Sequence, residues 1–171
     1  MRIAGCDDNK NDRIELCELL KIVWPGTEFF LFDDGQDLLA QIDVGETYDL
    51  VFLDIFMQKI GGIEAGKKIR EFHPEMEIVL VSISREFGPE AFELNAFYYL
   101  VKPYQKELLW KIKERFQKKV VSKLTIYDVS SKQEQEVPYQ KITYIESMHN
   151  YLYIHMATGA VIKVREPTSR L

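Results

Sequence analysis

Apolar and polar positions follow two periods along the first 121 residues. Residues 2–6, 28–32, 50–53, 78–81 and 98–101 are short apolar runs rich in aromatic and β-branched side chains. That composition is expected of strands buried on both faces. Between the runs, Ile14, Cys17, Leu20 and Val23, and later Ile63, Gly66, Ile69 and Phe72, recur at helical spacing with charged residues in the gaps, so each set predicts a helix with one apolar stripe. Strands alternating with helices predict βαβ units: an α/β fold with a doubly wound, five-stranded parallel sheet covered on both sides.

Polar residues fall just past four of these runs: Asp7-Asp8, Asp54, Ser82 and Lys102-Pro103. The carboxyl ends of parallel strands share one edge, so these positions are predicted to meet in one crevice. Three carboxylates brought within about 4 Å repel by roughly 1 to 4 kcal/mol per pair, depending on the effective dielectric. A hard divalent cation with oxygen ligands offsets that repulsion, and Mg²⁺ suits a site with carboxylates, waters and phosphate oxygens. An isolated Asp-Asp also reads as a turn followed by a helix N-cap, and Asp33-Asp34-Gly35 is assigned to a turn. Lys102-Pro103 favours the site reading for Asp7-Asp8, because proline directs the preceding residue out of its strand in an extended conformation. A lysine held over an acidic crevice is a point charge suited to a phosphoryl oxygen.

Beyond a long amphipathic helix over 105–121, the pattern changes to closely spaced short strands at 124–129, 137–138, 142–145, 151–156 and 161–164. Alternation over 151–156 and the turn Ala157-Thr158-Gly159 predict a hairpin in a small antiparallel sheet. Charge shifts at the same place. Residues 1–121 hold 16 Lys or Arg against 22 Asp or Glu, whereas 122–171 hold 6 against 5. A boundary near 118–122 therefore separates a first domain, 1–121, from a small module, 122–171. Cys6 and Cys17 are too few for a disulfide framework and are expected as buried thiols of a reduced, cytoplasmic protein. No apolar run reaches the roughly 18–20 residues that span a bilayer, and the N-terminus runs directly into a strand, so neither membrane insertion nor secretion is expected. No Cys or His spacing points to a transition metal; His155 reads as structural and His73 as a loop residue.

Residues 1–121 resemble a response-regulator receiver domain. The resemblance rests on the acidic pair after the first strand, Asp54 within Val51-Phe-Leu-Asp-Ile-Phe-Met57, Gly62, Ser82 and Tyr99-Leu-Val-Lys-Pro103. It implies a flavodoxin-like strand order 2-1-3-4-5, with Asp54 as the phosphoacceptor. It further implies that Asp8, Asp54 and the main-chain carbonyl of Phe56 bind Mg²⁺ while Asp7 assists through water, and that Ser82 and Lys102 contact the phosphoryl group. Ser82 and Tyr99 become the switch residues, acting on the face formed by 86–105; half-buried packing is the plainer reading of Tyr99. The implied partners are a sensor histidine kinase and, after phosphorylation, a second copy of the chain. Gln58 stands where the family usually has Pro, Gly61 where Asp commonly precedes Gly62, Ile83 where a small residue usually follows Ser82, and Tyr98 where an acid often precedes Tyr99. Ile83 is expected to crowd the phosphoryl pocket and Gln58 to loosen the loop after Asp54.

Residues 137–155 resemble the opening half of a LytTR-type DNA-binding domain, and 164–171 look like the lead into that family's next helix. The loop at His149 and Asn150 matches a region that enters a major groove, and reads equally as a polar turn. At about half the usual length, the module is expected to be partial, with strand edges that pair with a second copy or exchange their amides rapidly. The leading expectation is a two-component response regulator, not an enzyme in its own right, that controls transcription through DNA. The alternative is a phosphorylation-dependent interaction or dimerisation module that does not bind DNA, since a net charge of plus 1 over 122–171 is weak electrostatics for a polyanion. A Mg²⁺-dependent phosphatase of α/β fold would need an acid two residues after Asp54, where Phe56 stands.

Overall fold

A computed structural model of the chain describes residues 1–121 and 123–165, in two compact units, Met1–Lys113 and Glu114–Leu171. In the first unit β1 (Arg2–Cys6), α1 (Lys10–Val23), β2 (Glu28–Phe32), α2 (Gly35–Asp43), β3 (Leu50–Asp54), α3 (Gly62–Phe72), β4 (Glu77–Ser82), α4 (Gly88–Glu93) and β5 (Tyr98–Val101) alternate along the chain, and α5 (Lys106–Val121) follows. The strands form a parallel sheet in the order β2-β1-β3-β4-β5, the expected doubly wound order. Its register aligns the strand ends: Cys6 pairs with Leu53, Asp54 with Val81, and Ser82 with Val101. Asp7, Asp54, Ser82 and Lys102 therefore emerge at one edge.

The three central strands are buried almost throughout, with Ile3, Leu50, Val51, Phe52, Leu53, Ile78, Val79 and Leu80 fully enclosed. β2 departs from the expected two-sided burial. It lies at the sheet edge and keeps its residues exposed or half-buried. The helical stripes are also shifted from those expected. α1 buries Leu16, Cys17, Leu20 and Val23, whereas Ile14 lies on the flank of that stripe and is 44% exposed. α3 buries Gly62, Ala65, Gly66 and Ile69; its small residues form the sheet-facing surface, and Phe72 at its last turn stays exposed. Both cysteines are buried free thiols.

In the second unit β6 (Lys123–Asp128), β7 (Gln133–Pro138), β8 (Ile142–Met148), β9 (Tyr151–Met156) and β10 (Val161–Arg165) form an antiparallel sheet in the order β7-β6-β10-β9-β8. Ile126, Val137, Ile154 and Ile162 make its buried cluster, flanked by Leu124, Ile142, Met156 and Val164. β7 starts four residues before the expected 137–138. Its first residues, Gln-Glu-Gln-Glu, carry no apolar signal because β7 is an edge strand. The β8–β9 hairpin turns at His149-Asn150, with His149 at φ 58°. Residues 164 and 165 belong to β10, and the rest of the expected lead into a helix, 166–171, lies outside the described residues. Among the described residues no helix is long and apolar enough to cross a membrane.

Candidate functional site

Asn9 caps α1, its side chain accepting the N–H groups of Asn11 and Asp12. This cap turns the chain directly after Asp7 and Asp8. The Asp7 carboxylate is buried and accepts the Asn9 N–H at 2.9 Å, while Asp8 is exposed. Asp54 ends β3, and α3 begins hard against it: a Cβ on Gly62 would stand 2.3 Å from the Asp54 carbonyl oxygen, so only glycine fits there. Carboxylate oxygens of Asp7, Asp8 and Asp54 all lie within 4.8 Å of one another. The acidic part of the crevice expected from the sequence, Asp7, Asp8 and Asp54, is thus brought together in the first unit.

Lys102 closes it. Its backbone N–H donates to the Ser82 carbonyl at 2.8 Å, and the peptide to Pro103 is cis. Its Nζ reaches Asp7 Oδ2 at 2.7 Å, Asp12 Oδ2 at 2.8 Å and Asp54 Oδ1 at 3.2 Å. Burial works against the ammonium, yet Asp12, Asp7 and Asp54 outweigh it and hold its pKa above the usual lysine range. Asp54 is pushed the other way. Burial first and the Asp7 charge second raise its pKa to about 6, with Lys102 opposing the rise. Above that pH it is an ionised, comparatively basic carboxylate among hard oxygen donors, the donor set that Mg²⁺ prefers.

Two members of the crevice were not foreseen. Asp12 sits one helical turn after Asp8, and that i, i+4 spacing was the available signal. The Tyr104 hydroxyl donates to Asp7 Oδ2 at 3.4 Å, and burial with the Asp7 charge raises its pKa; nothing in the sequence marks it. Ser82 is fully buried, and its Oγ accepts the Ser84 N–H at 3.1 Å. Ile83, expected to crowd the pocket, is 73% exposed. Phe56 is half-exposed with its ring edge-on to Phe87 at 5.1 Å. Tyr99 is half-buried on β5, its hydroxyl donating to the Ser84 carbonyl oxygen at 2.6 Å. His149 and Asn150 lie on an exposed turn of the second unit. His73 caps the end of α3, and His155 pairs with Glu146 at 3.0 Å and stacks on Tyr144.

Residues 3–114 match the response regulator receiver domain. The chain belongs to this family. Sensory transduction protein LytR of Staphylococcus haemolyticus is 32% identical over 109 residues, covering 63% of this chain and 41% of LytR. The response regulatory domain of protein mrkE from Klebsiella pneumoniae matches in structure with a TM-score of 0.64 at 29% identity, over 70% of this chain and 97% of that one. Response regulator TrrA of Thermotoga maritima, solved in complex with Mg(2+)-BeF, matches with a TM-score of 0.59 at 32% identity, over 67% of this chain and 97% of that one. The chain spans about 40% of the length of the curated relatives it matches. In this receiver Asp7, Asp8, Asp54 and Lys102 converge at the charged edge of the parallel sheet.

Proposed function

We propose that the first unit, with α5 as a linking helix over the full span 1–121, is a phosphorylated receiver, and that Asp54 accepts the phosphoryl group from a sensor histidine kinase in the cytoplasm. The observation that carries this reading is one ammonium, Lys102 Nζ, within 3.2 Å of Asp54 and 2.7 Å of Asp7, in a crevice whose three carboxylates converge within 4.8 Å. Asp8, Asp54 and the Phe56 carbonyl are the residues that would hold Mg²⁺, with Asp7 acting through water. Bound there, Mg²⁺ would supply positive charge to the phosphoryl oxygens. A carboxylate oxygen of Asp54 forms a bond to phosphorus as the bond to the kinase imidazole nitrogen breaks, and that nitrogen keeps the electron pair. Lys102 and the Ser82 hydroxyl meet the phosphoryl oxygens, and water later cleaves the acyl phosphate. Ser82 moving toward phosphate would pull Ser84 and with it Tyr99, altering the face formed by 86–105 and favouring a homodimer. Incubating the chain with a small phosphodonor and Mg²⁺ tests the assignment: acid-labile phosphate on Asp54 supports it, and none on any residue overturns it.

We further propose that the module 122–171 is part of a LytTR-type output that controls transcription, with His149 and Asn150 at the DNA. The resemblance of 137–155 and the exposed turn at His149-Asn150 support this reading. A second reading, an interaction or dimerisation module that does not bind DNA, is favoured by the near-neutral charge of 122–171, 6 basic against 5 acidic residues. Titrating DNA at several salt concentrations separates them: affinity that falls steeply with salt supports the first, and no affinity at low salt supports the second.

A further inference from the structure

Asp34 does more than end a turn. It caps α2, yet it also reaches a loop far away in sequence. Its Oδ1 accepts the N–H of Gln36 at 2.9 Å and of Ile60 at 3.2 Å, and its Oδ2 accepts the N–H of Lys59 at 2.9 Å. The carboxylate is only 4% exposed. Burial alone would push its pKa up, but the three amide donors outweigh that and hold it below the usual range. The neighbouring backbone leaves no slack: a Cβ on Gly35 would stand 2.4 Å from the Ile60 carbonyl oxygen.

Lys59 and Ile60 belong to the segment between Asp54 and α3, which also carries Phe56. The other described backbone ties of that segment are Ile55 N–H to the Val81 carbonyl at 2.8 Å, Gly62 N–H to the Ile55 carbonyl at 3.3 Å and Ala65 N–H to the Gly61 carbonyl at 2.9 Å, so all three involve residues at its ends. Its middle runs through exposed Gln58, at the position where the family usually has a proline to stiffen the loop. The two bonds from Asp34 follow directly after this residue.

We propose that Asp34 is a positioning residue for the phosphoacceptor site, holding the loop that carries the Phe56 carbonyl in place from the far side, in the role that a proline at 58 would otherwise fill. This rests on the receiver reading given above. It assigns to an aspartate outside the crevice an effect on metal affinity that its distance in sequence from every ligand does not announce.

The variant Asp34→Asn separates this role from helix capping. Its amide oxygen can still serve Gln36 and Ile60, while its NH₂ group faces the Lys59 N–H and breaks that bond. Asp34→Ser is the second variant: serine caps helices well but is too short to reach the loop. Mg²⁺ dissociation constants are measured calorimetrically on the full chain, with thermal melting beside them. The expected result is Mg²⁺ binding weakened about tenfold in both variants, as loss of one charge-assisted hydrogen bond implies, and restored to within about twofold of the wild type by adding Gln58→Pro. Binding that stays within about twofold of the wild type in both single variants overturns the proposal, and so does a loss that Gln58→Pro leaves unrepaired. If the wild-type chain itself binds no Mg²⁺, it is the receiver reading that fails.

Discussion

The Tyr99 hydroxyl donates to the Ser84 carbonyl oxygen at 2.6 Å, while the Ser84 N–H donates to Ser82 Oγ at 3.1 Å. The buried hydroxyl at the crevice and the ring on β5 are thus joined through a single residue. Any displacement of Ser82 changes the acceptor that holds Tyr99. Removing that acceptor bond with Tyr99→Phe is expected to shift the ring's conformational equilibrium about 2- to 10-fold in favour of the released state. Ring NMR signals followed with and without Mg²⁺ and beryllofluoride report it; a beryllofluoride-induced change of the same size in both proteins would refute the link.

Asp54→Asn is expected to abolish acid-labile phosphate incorporation, because an amide oxygen cannot yield the acyl phosphate and Asp7 and Asp8 lie too near the metal to substitute. Mass spectrometry after treatment with a small phosphodonor checks this. Stoichiometric labelling of the variant would remove Asp54 from its role.

The same substitution has a pH signature when divalent cations are absent. The folded-state pKa of Asp54, about 6, is raised above its value of 3.8 in the absence of those surroundings. Its favourable contribution is therefore complete below about pH 4 and is lost as pH rises through about 6. Asp54→Asn, which never ionises, should gain on the wild type over that window, by about 1–3 kcal/mol at pH 7. Urea unfolding at pH 4 and pH 7 in chelator measures it, and a constant difference between the two proteins would count against the raised pKa.

Asp8 is the exposed member of the cluster, so its loss should disturb packing little. Asp8→Ala is expected to weaken Mg²⁺ binding by about tenfold or more, with labelling of Asp54 partly recovered at high Mg²⁺. Labelling that does not respond to Mg²⁺ would exclude Asp8 as a ligand.

In the second unit, β7 and β8 are the sheet edges and β10 the centre. Alternate amides of an edge strand point away from the ladder. Hydrogen exchange is therefore expected to be faster in β7 and β8 than in β6, β9 and β10. Uniform protection across all five strands would mean that both edges are covered, as pairing with a second copy would do.

Much of the receiver was legible because local pattern and tertiary structure agree there. β1, β2 and β5 begin and end where the apolar runs do: β1 is buried between neighbours, while β2 and β5, at the sheet edges, are half-buried strands whose aromatic residues suit a pleated surface. The crevice was legible for a different reason: strand order turns separated residues into neighbours. Asp34 escaped because its second role is made entirely by amides 25 and 26 positions away, which have no side-chain signature. Tyr104 escaped for a similar reason, its partner Asp7 lying 97 positions away. Ile14 and Phe72 misled because an apolar residue one position off the stripe satisfies helical periodicity about as well as one on it. The first half of β7 was hidden by its own edge position, where glutamates and glutamines serve a strand better than valines would.

Around Lys102 Nζ stand the carboxylates of Asp7, Asp12 and Asp54, with Asp8 beside them. Four negative groups share one positive one, so the crevice carries a formal deficit of three charges before anything binds. A dication fills two of them and leaves the balance still open. A phosphoryl group would add negative charge to that balance, so on the proposed reading the cation has to be in place before the crevice can hold it. Because the same five side chains would answer to both, cation supply and phosphoryl transfer are linked, and a change in the first is felt in the second.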